Sequence, residues 1–146
     1  MRFIANGFMT EVPDGWEDRS LLMLVGPVSR TDFAANVVFT REPVDTITSV
    51  EDYAAEVRQR SRAEVGALEI LDEQATTINE FPAYQWVQQC EIAGRRLRQL
   101  QTCILTGGVV FTGTCSAEIE EFDAHVTAFR QIISMFQPFE LEDVEE

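Results

Sequence analysis

Residues 83–115 read AYQWVQQCEIAGRRLRQLQTCILTGGVVFTGTC. Two turn signals punctuate this stretch, one near Ala93-Gly94 and one at Gly107-Gly108. They separate runs of strand length and alternating character, Ala83–Glu91, Arg96–Thr106 and Val109–Cys115, so the segment reads as two consecutive hairpins. Because side chains alternate along a strand, pairing through the turns sorts them onto two faces. Tyr84, Trp86, Leu97, Cys103, Leu105 and Val110 fall on one, and Ala83, Val87, Leu100, Ile104, Val109 and Phe111 on the other. An antiparallel sheet that is apolar on both sides has to be covered on both sides. Two helices of the chain can each take one face, or one helix and a partner can share them. The same register sets Cys90 opposite Leu97, Cys103 opposite Thr112 and Cys115 opposite Leu100. No cysteine faces another, and the expectation is three buried free thiols in a reducing compartment.

Working outward, Leu68 to Ile78 reads as the strand before this pair of hairpins. On the N-terminal side, Phe3 to Val12 gives one or two short strands with a turn at Asn6-Gly7, and Pro13-Asp14-Gly15 is a second turn. Leu21 to Val25 is a continuous apolar run ended by Gly26-Pro27. Asn36 to Arg41 is a further strand, with Val37 and Phe39 on one side and Asn36, Val38 and Thr40 on the other. A first helix begins near Thr48 or Ser49, where Thr48 and Glu51 have capping-box spacing. Its apolar face carries Val50, Tyr53, Ala54, Val57, Ser61 and Val65, and Gly66 is the expected stop. A second helix follows Ser116 as N-cap, with acidic residues in its first turn and a stripe of Ile119, Phe122, Val126, Phe129, Ile133 and Phe136. Pro138 ends it. Strands interrupted by only two helices predict an α+β fold: an antiparallel sheet of about six to seven strands flanked by two main helices. Residues 1–139 are expected to form a single domain, and 140–146 an acidic tail.

Charge narrows the function. The 146 residues carry a net charge of −14, and all eleven cations are arginine. Neutralising phosphates needs a cationic surface, so nucleic-acid binding is excluded as an expectation, and an anionic bilayer would repel the chain. No apolar stretch approaches the ~18 residues of a membrane span, and the N-terminus lacks signal-peptide character, which predicts a cytoplasmic protein without stable membrane insertion. Chemistry finds little purchase. The single histidine, His125, has no second histidine and no cysteine at ligand spacing, so no metal site is expected. Ser116 or Cys115 with His125 lacks any nucleophile-elbow context. The clusters Arg58, Arg60, Arg62 and Arg95, Arg96, Arg98 could hold an anion, though such arginines more often pair with neighbouring acids. No cofactor is expected, and the chain reads as a binder rather than an enzyme.

The order VPDGWEDRS, LLMLVG, NVVFTREP, helix, paired strands, then VVFTGTCSA and a helix ending SMFQPF resembles the DcrB/PsbP-like family. Within it, the chain looks like the cytoplasmic Eag-type chaperones of type VI secretion. The matching points are Pro13, Trp16, Asp18, Arg19, Asn36, Arg41 and Glu42, with Phe122 and Phe129 in the last helix. The resemblance implies a PsbP-like α/β/α sandwich. It also implies a homodimer with an apolar cradle that shields the hydrophobic transmembrane helices of an effector before export. Carried onto this sequence, the cradle positions are Leu22, Leu24 and Val38. Read from the residues alone, the same three side chains serve equally well as ordinary core. The alternative function is a PsbP-like binding module for another protein or a small ligand, with its patch around Tyr84 and Trp86.

Overall fold

The computed structural model describes residues 2–5, 8–11, 13–16, 21–27, 32–45 and 48–138. The expected turn at Asn6-Gly7, the matching points Asp18 and Arg19, and the acidic tail lie outside the described residues. The elements run β1 (Arg2–Ala5), β2 (Phe8–Glu11), β3 (Leu22–Val25), β4 (Asn36–Pro43), α1 (Val50–Glu64), β5 (Gly66–Ile78), β6 (Phe81–Ile92), β7 (Arg95–Thr106), β8 (Val109–Glu118) and α2 (Ile119–Ser134). β1 and β2 pair only with each other, while the remaining strands form a six-stranded antiparallel sheet in the order β3-β4-β8-β7-β6-β5.

The two hairpins at the centre have the expected register. Cys90 pairs with Leu97, Cys103 with Thr112 and Cys115 with Leu100, and all three thiols are free and buried. Ala93 and Gly94 both take positive φ, 52° and 80°, which matches the right-handed twist of the flanking strands. A third hairpin, unexpected from the sequence, turns at Asn79-Glu80, with φ of 50° and 73°. Asparagine tolerates this conformation, and here its side-chain amide also donates to Gln137 Oε1 at 2.6 Å, tying the turn to the segment after α2.

Each helix covers one face of the sheet. α1 packs Val50, Tyr53 and Ala54 onto Trp86, Cys103 and Val110. α2 packs Phe122, Phe129 and Ile133 onto Ala83, Leu100, Ile104 and Cys115. Gly113 allows the second contact to be close: a Cβ there would lie 2.7 Å from Ile133 Cδ1 and 3.1 Å from the Phe39 ring.

α1 starts where expected, with Ser49 rather than the capping-box Thr48 as its cap: the Ser49 hydroxyl accepts from the Asp52 amide at 3.1 Å. The start of α2 differs from expectation. Ser116 is not the cap of α2. β8 runs on to Glu118 because Leu97 still pairs with it, and Glu118 becomes the N-cap residue without a side-chain cap bond. The Ser116 hydroxyl instead ends a buried ladder: Trp86 Nε1 donates to Gln88 Oε1, Gln88 Nε2 to Gln99 Oε1, and Gln99 Nε2 to Ser116 Oγ, all within 2.7–2.9 Å. A buried amide without a partner costs about 1–3 kcal/mol, and the ladder removes that cost across three strands. Gly66 does stop α1, but as the first residue of β5.

Candidate partner-binding site

β3 is an edge strand and it is apolar throughout. Leu22, Met23, Leu24 and Val25 are 45, 57, 40 and 62% exposed, and Leu21 just before them is also exposed. Both helices sit away from it, α1 over β5, β6 and β7 and α2 over β7 and β8. Register decides which side chains work together. Met23 pairs with Val38 and Val25 with Asn36, on the α1 side; Leu22 pairs with Phe39 and Leu24 with Val37, on the α2 side. So Val38 does not share a face with Leu22 and Leu24. In a strand a displacement of one residue exchanges the two faces, and a continuous apolar run carries no alternation from which to read the register.

On the α1 side lies a groove of about 400 Å³ between α1 and the ends of β4 and β8. Leu21, Val57, Ser61, Thr40 and Thr112 line it, and Glu42 and Arg60 close one end. Tyr53 donates its hydroxyl to Glu42, and Arg60 stands 3.7 Å from the same carboxylate. Burial, reinforced by the Glu42 carboxylate, pushes the Tyr53 phenol up to about 12, so it stays a donor at neutral pH. The cleft therefore sets the aliphatic side chains of Leu21 and Val57 among hydroxyls and four charged residues, Arg41, Glu42, Arg60 and Glu64. Leu21 belongs to it, and Met23 lies on the same side of the sheet; both were missed in the sequence, where only alternate positions of the run were singled out.

The opposite flank of α1 is filled. The Arg58 guanidinium lies 5.2 and 5.3 Å from the ring centroids of Tyr84 and Trp86, and its NH1 is 3.0 Å from Glu73, which also accepts from the Tyr84 hydroxyl. Trp86 is 1% exposed. The patch expected around Tyr84 and Trp86 for a second kind of ligand is thus occupied by the protein itself.

Residues 9–135 match the DcrB family model. The chain belongs to the DcrB family. No curated protein sequence matches it. Among solved structures it is similar to PA94 of Pseudomonas aeruginosa, a protein of unknown function, with a TM-score of 0.81 at 20% identity over 96% of this chain and 97% of that one. It is also similar to the cyanobacterial PsbP protein CyanoP of Synechocystis sp. PCC 6803, with a TM-score of 0.59 at 12% identity over 95% and 92%. At these identities the likeness is one of fold, and the α+β, PsbP-like architecture is what it shows.

Other candidate groups of this DcrB-family protein have structural partners. Burial pushes the Cys103 thiol up to about 11 and Cys115 to about 12, which removes the thiolate a nucleophile needs. His125 lies half-buried on α2 with its ring 6.1 Å from that of Phe129. No group of three or more His, Cys, Asp or Glu able to hold a metal occurs among the described residues. The arginines named above mostly meet acids or amides. Arg95 bridges Asp32 at 2.6 Å and Glu118 at 3.3 Å, and Arg98 donates to Gln89. Among the described residues no helix is long and apolar enough to cross a membrane.

Proposed function

We propose that this DcrB-family protein is a non-enzymatic chaperone or adaptor that receives the apolar transmembrane segment of an effector before its export. The observation that carries the reading is the β3 edge: a run of apolar side chains left exposed beside a groove of about 400 Å³. A membrane helix in water must hide its aliphatic sides, and each square ångström covered is worth roughly 25 cal/mol. Val38, with Leu21 and Met23, offers such cover on the α1 side. Leu22 and Leu24 offer it on the α2 side, so one edge can serve two apolar surfaces, from one segment folded over it or from two. The absence of a charged side chain between Leu21 and Val25 supports the reading, because a merely solvated edge strand is usually blunted by charge. The same reading makes the protein a cytoplasmic homodimer whose two copies build one cradle.

The test is a helical leucine–alanine peptide of membrane-spanning length, offered in the presence of the protein and followed by light scattering. The wild type keeps the peptide in solution. Met23→Asp and Val38→Asp, at exposed or half-buried positions, lose that capacity while retaining the thermal transition. Equal protection by wild type and both variants would sink the proposal, and sedimentation showing only monomer would remove the dimer from it.

A further inference from the structure

The edge of β3 offers more than side chains. As the terminal strand of the sheet it has, among the described residues, β4 on one side only, and its other row of main-chain N–H and C=O groups points away from the sheet. We infer that this edge takes up an extended, continuously apolar stretch of the partner, flanked by cationic residues, as a seventh strand. The inference rests on the function proposed above and adds the form in which a stretch of the partner's segment is held at this edge: extended and paired through its main chain, with any helical part left to the groove.

Two features of the molecule argue for this occupant. The first is that both sides of the edge are apolar. A strand laid beside β3 would have Leu22 and Leu24 next to its side chains on one face, and Met23 and Val25 on the other. A strand whose lateral neighbour is apolar at every position gains apolar cross-strand contacts at each of its own positions, not at alternate ones. Uninterrupted apolarity is also what distinguishes a membrane-spanning sequence, so one stretch of partner satisfies both requirements. The second is charge. The chain carries a net charge of −14, and the Lys and Arg that flank membrane segments are attracted to it.

The pairing itself is the testable part. The probe is a short synthetic peptide of valines and leucines with lysines at both ends, measured by affinity and by amide hydrogen exchange of residues 22–25. A second peptide keeps every side chain but carries N-methyl groups at alternate main-chain positions, which deletes donors. Expected are protection of the β3 amides by the first peptide and an affinity at least about tenfold weaker for the second, since each lost hydrogen bond is worth around 1 kcal/mol and 1.4 kcal/mol is tenfold. Replacing the lysines by glutamates weakens binding, and the more so at low salt. Leu24→Lys places a charge on the edge and abolishes protection, with circular dichroism and the melting transition reporting that the fold is kept. Equal affinity of the N-methylated peptide overturns the inference. So does protection of residues 22–25 that grows with protein concentration alone, which would assign the edge to a second copy. If the helical peptide of the preceding section is held in solution while the extended one leaves β3 unprotected, strand addition fails and the chaperone reading stands. If neither peptide binds, both fall.

Discussion

The six-stranded sheet ends on two strands with the same problem, a row of main-chain groups without a strand partner among the described residues, and they meet it in opposite ways. β5 is long, Gly66–Ile78, and carries Glu69, Asp72 and Glu73 along an exposed edge. Its register slips twice, between Gly66 and Glu69 and between Ile70 and Asp72, where it pairs with β6. Charge and bulges are the usual means of discouraging an incoming strand. α1 is also fastened on this side, through Arg58 to Glu73, Tyr84 and Trp86. β3 is short and apolar, with no slip in its register. One edge is closed to visitors and the other is open. β5 carries the devices that discourage strand addition and β3 carries none of them, and on that contrast the proposed site rests.

The largest effect that tests the contrast is on stability. Trp86→Ala, at the closed side, removes a fully buried indole and leaves Gln88 Oε1 without its donor. It is expected to cost about 3–5 kcal/mol. Leu24→Ala at the open edge should cost under about 1 kcal/mol, because its side chain is already partly in water. Urea titrations of both variants measure this. A loss at Leu24 comparable with that at Trp86 would mean that β3 is core and the contrast is wrong.

A smaller effect separates the two fastenings of α1. Tyr53→Phe deletes the bond to Glu42 on the open side and should cost about 1 kcal/mol, leaving the Arg58 cluster untouched. It also changes the response to alkali. A phenol raised to about 12 in the fold from 10 in the unfolded chain contributes its full stability below pH 10 and loses it as pH climbs towards 12. The cysteines Cys103 and Cys115, raised from 9, lose theirs over an overlapping range. The wild type should therefore fall more steeply than Tyr53→Phe between pH 10 and 12, with the cysteine contribution common to both. Parallel curves would show that the bond to Glu42 does not hold α1.

What the sequence disclosed follows from where its signals are strong. The central hairpins were legible down to the pairing of each cysteine, because Ala93-Gly94 and Gly107-Gly108 fix the register and the alternation confirms it. α2 was legible from its stripe. Its start was not, because a serine before an acidic turn looks like a cap whether or not the strand has ended. Ser116 is claimed by Gln99, and that contact is formed across strands and leaves no trace in local sequence. The same limit governed the site. Leu22 and Leu24 lie on the open edge strand and Val38 on β4 beside it, yet the face each one serves depends on the β3–β4 pairing, and LLMLV is apolar at every position. Leu21 and Met23, which face the groove side, could have been reached only through the partner strand, where Val38 and Thr40 fall on one side of the alternation.

The last test exchanges the characters of the two edges and should barely move stability. Glu69→Val with Asp72→Val strips charge from β5 while leaving Glu73 to hold Arg58. Both side chains are exposed, so the change in folding free energy should stay within about 0.5 kcal/mol. What changes is sociability: the double variant gains an apolar edge opposite the one already present. A molecule with two unlike adhesive edges can join head to tail without closing. Light scattering should then rise with protein concentration for this variant and not for the wild type, and adding Leu24→Lys should suppress it by blunting the other edge. If the double variant stays as dispersed as the wild type, the bulges alone protect β5. In that case the openness of β3 owes more to its straight register than to its missing charge.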